Sequence, residues 1–177
     1  MGNAEQIEAL EREILTAAEA AEDRVAGEVG GSVGGAIGGG AAGAGGGRLG
    51  GGRGAPRGAR LFVRMRGLDR GEASIEVDAA PDRVLGAARG LFGEHGRKLV
   101  EEELPPLDPL EVWGLMHGGA AGLRPVVVRV AASARGRGST AIVRTTAVEG
   151  LLIKQRPAQK VAPAFRDELA AALEASA

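Results

Sequence analysis

Glycine recurs at every fourth position over one stretch of the chain, at Gly27, Gly31, Gly35, Gly39, Gly43, Gly47 and Gly51. A second register (Gly30, Gly34, Gly38, Gly46, Gly50, Gly54) runs beside it, interrupted at Ala42, and Val29, Val33 and Ile37 keep the same period. A flexible linker has no reason to hold such a phase. A helix that packs its backbone closely on another helix does, most often in a membrane. A four-residue period drifts by about 40° per repeat on a 3.6-residue helix, so only three or four repeats share a face. The packing face is therefore expected at Gly27, Gly31, Gly35, Gly39 and Gly43, in a segment that resembles a glycine zipper.

Three readings of this block stay open. Residues 29–47 are uncharged and as a helix would reach roughly 28 Å, close to the thickness of a hydrocarbon core. Val29, Val33 and Ile37 are its only strongly apolar residues, so a span would insert weakly without copies of itself. A Gly/Ala linker is the second reading. A packed helix in water is the third, although each glycine costs about 1 kcal/mol there relative to alanine. Chance G-x-G-x-x-G matches in the block lack the preceding strand that a dinucleotide site needs.

Charge is segregated around the block. Residues 1–28 carry eight acidic side chains against Arg12 and Arg24, and residues 48–70 carry seven arginines against Asp69. If 29–47 spans a membrane, the arginine side stays cytoplasmic. Without spanning, Arg48, Arg53, Arg57 and Arg60 form a basic surface for anionic lipid. Nucleic-acid binding is not expected, because the chain has no Tyr and only Phe62, Phe92, Trp113 and Phe165 as stacking rings. The acidic first residues do not form a secretory signal peptide, and MGNAEQ has Gln6 where myristoylation needs Ser or Thr. The expected location is the cytoplasm or the cytoplasmic face of a membrane. With no cysteine there is no disulfide framework and no thiolate metal site.

The rest reads as a helix and a domain. Ile7, Leu10, Ile14, Ala17, Ala18, Ala21 and Val25 make an apolar stripe that predicts an acidic amphipathic helix over 1–26. It is either a surface helix or a short bundle helix. The Gly-rich segment covers 27–54, a basic connector 55–60, and a small α+β domain 61–177. In that domain, alternation predicts strands near 61–65 and 73–77. Pro81 and Asp82 open a helix whose apolar face is Val84, Leu85, Ala88, Leu91 and Phe92. Strands are expected at 98–104, 110–117, 124–133 and 139–148, the last two joined at Arg135-Gly136-Arg137-Gly138. A closing helix near 158–175 presents Val161, Phe165, Leu169, Ala172 and Leu173. The fold class is α+β, an antiparallel sheet packed on a long C-terminal helix.

The stretch from Ala73 to Val84, ASIEVDAAPDRV, with the element order that follows it, resembles the opening strand, turn and first helix of the helix-grip superfamily of START and pollen-allergen proteins. The likeness covers residues 70–177. It implies a sheet curled round the final helix and a small apolar ligand. The superfamily holds binders and enzymes alike, so the fold would not decide function.

Phe92, Trp113, Met116, His117 and Phe165 are the expected ligand lining. No catalytic residue, metal ligand or cofactor is assigned. The leading expectation is a non-enzymatic protein, membrane-associated or self-associating through its arm, whose domain binds a protein or an apolar ligand. One alternative is a helix-grip enzyme of cyclase or hydrolase type using His117 or His95. Another is a structural oligomer built by the arm.

Overall fold

A computed structural model describes residues 3–37, 67–98, 110–118, 124–149 and 156–176. The chain divides into two units, Met1–Arg66 and Gly67–Ala177. The boundary falls a few residues beyond the expected start of the domain at 61. The expected strand near 61–65, the connector 55–60, most of the strand at 98–104, Gly39, Gly43, Arg48, Arg53, Arg57 and Arg60 lie outside the described residues.

In the first unit, helix α1 runs over Asn3–Ile37. It does not stop near residue 26; its backbone continues through Gly27, Gly31 and Gly35. Over residues 27–37 the backbone is thus helical. Among the described residues no helix is long and apolar enough to cross a membrane. The buried face is turned slightly from the expected stripe. Leu15, absent from that stripe, is fully buried with Ile14 and Glu11, whereas Ala17 and Ala21 are exposed. Leu15 belongs to the buried face because it stands four residues from Glu11 on one side of the helix. Glu8 and Arg12 pair at 3.2 Å one turn apart, and the Thr16 hydroxyl donates to the Arg12 carbonyl at 2.6 Å.

The second unit is a five-stranded antiparallel sheet with two helices. Its elements are β1 (Leu68–Val77), α2 (Pro81–His95), β2 (Arg97–Lys98), β3 (Glu111–Gly118), β4 (Arg124–Arg135), β5 (Gly138–Val148) and α3 (Pro157–Ala175). The spatial order is β1-β5-β4-β3-β2. Strand β1 alternates because one face meets the helices and the other does not. Asp69, Gly71, Ala73, Ile75 and Val77 turn inward and Arg70, Glu72, Ser74 and Glu76 outward. The Ala80 carbonyl accepts from the amides of Arg83 and Val84, and Pro81 sits where its missing N–H costs nothing. Val84, Leu85, Ala88, Leu91 and Phe92 are the buried face of α2, as expected.

Strand β4 is buried on both sides at Val126, Val127 and Val128. Its hairpin to β5 pairs Arg135 with Gly138, leaving Gly136 and Arg137 as a two-residue turn. Gly136 has φ +60° there while Arg137 does not turn left-handed, the pattern of a type II′ turn. The core joins Val126, Val128, Val130, Ala141, Val143 and Ala147 of the sheet to α2 and to Phe165, Leu169 and Leu173 of α3. Ala162 completes the buried face of α3, while Val161 and Ala172 are half-buried. Pro163 lies within the helix.

Candidate functional site

The five expected lining residues do not converge. Side chains of one strand alternate between faces, so Met116 on β3 points into the core and Trp113 and His117 point away from it. Phe92 of α2 and Phe165 of α3 stack at 5.1 Å with an interplanar angle of 26°. Both are buried, as is Met116. Phe92 lies directly on the sheet at Gly114, where a β-carbon would overlap its ring. The volume between helices and sheet at this point is filled by the residues expected to line it.

The opposite face of the sheet carries a chain of charge. Trp113 stands directly across from Arg129, and Arg129 from Arg144. The Arg129 guanidinium carbon lies 4.5 Å from the Trp113 ring centroid. Arg129 also donates to Glu111 from Nε at 3.0 Å and Nη2 at 2.9 Å, and both side chains are only 11% exposed. Arg144 donates to Glu72 at 2.8 Å across the other side. Two arginines placed opposite each other would repel; each is drawn outward by its own glutamate. Trp113 is 1% exposed, and its indole N–H is buried without a hydrogen-bond partner. Such a group costs about 1–3 kcal/mol, and the cation above the ring offsets part of that.

A shallow cleft at the far end of β1 is lined by Glu76, Val77, Asp78, Arg135, Gly138 and Ser139. Glu76 and Arg135 pair across it. Ser139 is buried and donates to the Ala79 carbonyl at 2.6 Å, so its hydroxyl is committed to holding the turn before α2. The two histidines lie on different elements. His95 closes α2 beside Glu94 at 3.8 Å, and His117 is exposed on the outward face of β3. Among the described residues no group of three or more His, Cys, Asp or Glu side chains is placed to hold a metal ion.

A further buried polar cluster was not anticipated. The Ala158 amide, in the first turn of α3, donates to Asp69 Oδ2 at 2.9 Å. The Thr145 hydroxyl donates to the Ala158 carbonyl at 2.8 Å. Gly71 lets the helix come this near, since a β-carbon there would lie 2.5 Å from the Ala158 oxygen. No local cap is present, because Arg156 precedes the helix in a left-handed conformation (φ 47°) without capping it. Asp69 supplies the missing acceptor from another strand, and its charge suits a helix N-terminus. This cluster anchors α3. Its single sequence signal is an aspartate at an inward position of β1.

Compared with models of protein families, with curated proteins and with solved structures, the chain matches none. The helix-grip resemblance of residues 70–177 rests on the 73–84 motif and the element order.

Proposed function

We propose that this is a non-enzymatic, self-associating protein in which α1 is the assembly arm and residues 67–177 form a body that contacts a protein partner. The observation that carries the reading is the continuation of α1 through Gly27, Gly30, Gly31, Gly34 and Gly35 to Ile37. Five glycines in this final stretch cost about 5 kcal/mol relative to alanine. A helix of that composition is sustained by packing, and glycine at four-residue spacing suits close approach to a second α1. The stacked Phe92 and Phe165 favour a protein partner over an apolar ligand inside the domain. The arginines at 48, 53, 57 and 60 supply a further attachment to anionic lipid.

Gly31→Leu and Gly35→Leu test the arm. Leucine is the better helix former, so these changes strengthen the isolated helix while blocking close approach. Loss of the oligomer in sedimentation of the full chain is expected. An unchanged oligomer, or a wild-type chain that sediments as a monomer at all concentrations, overturns the reading. Co-sedimentation with anionic but not neutral vesicles checks the lipid attachment.

A further inference from the structure

We draw no further inference here: the strongest candidate, the row of Gly86, Gly90 and Gly93 along the exposed face of α2, where an added β-carbon would meet open space, is a stripe of small residues with nothing else among the described residues to show what covers it.

Discussion

Asp69 does for α3 what a serine or aspartate beside the helix does elsewhere, but from eighty-nine residues away. Its carboxylate and the Thr145 hydroxyl together satisfy the amide and carbonyl of Ala158. Asp69→Asn keeps the shape and removes the charge. Thr145→Val keeps the shape and removes the hydroxyl, leaving the Ala158 carbonyl without that donor. Each is expected to lower stability by about 1–2 kcal/mol, seen as a lower urea midpoint with an unchanged slope. Their combined loss should fall short of the sum, because the two groups act on one residue. None of this was legible beforehand. Nothing in the run Leu68-Asp69-Arg70-Gly71 says that a helix will begin over it. The Arg129–Trp113 pair was hidden for a related reason. A lone arginine within Val126-Val127-Val128-Arg129-Val130 announces a special environment, but only the β3–β4 register shows the ring beneath it.

Among the elements, those with a clear period were readable. The apolar spacing of α2 and α3 gave their existence and close bounds, whereas alternation marked β1 only over 73–77, five residues after its start at Leu68. The faces were readable only in part. Alternation separates the two sides of β3, yet Phe92, Trp113, Met116, His117 and Phe165 were grouped by chemistry rather than by side, and the strand divides them. In α1 the thin alanine stripe left the buried face poorly defined, and fully buried Leu15 fell outside it. The glycine half of α1 carries the sharpest element-scale expectation. If its helix is held by a second copy, far-UV circular dichroism of the full chain should lose helical signal on dilution, through the same range in which sedimentation shows dissociation. Gly31→Leu should abolish that concentration dependence. Helicity that does not change with dilution would indicate a helix sustained without association.

At the scale of the whole molecule, the division at Arg66–Gly67 makes residues 67–177 a candidate for independent folding. All the core residues that join α2, α3 and the sheet lie within it. A chain beginning at Gly67 should unfold in one cooperative transition, with a midpoint within about 4 °C of the corresponding transition of the full chain, the shift that about 1 kcal/mol produces in a domain of this size. A non-cooperative melt would mean that the first unit is part of the domain's stability. The strand order has another consequence, for how the chain is made. Strands β3, β4 and β5 are successive neighbours and can close as soon as they are synthesised, but β1 must wait for β5, about seventy residues later. During synthesis β1 is therefore a ten-residue strand with neither edge occupied. The charged residues Arg70, Glu72 and Glu76 on its outward side oppose edge-to-edge pairing of such a strand until β5 emerges. The hydrogen bond from α3 to Asp69 then ties the first strand of this unit to a helix made about ninety residues later.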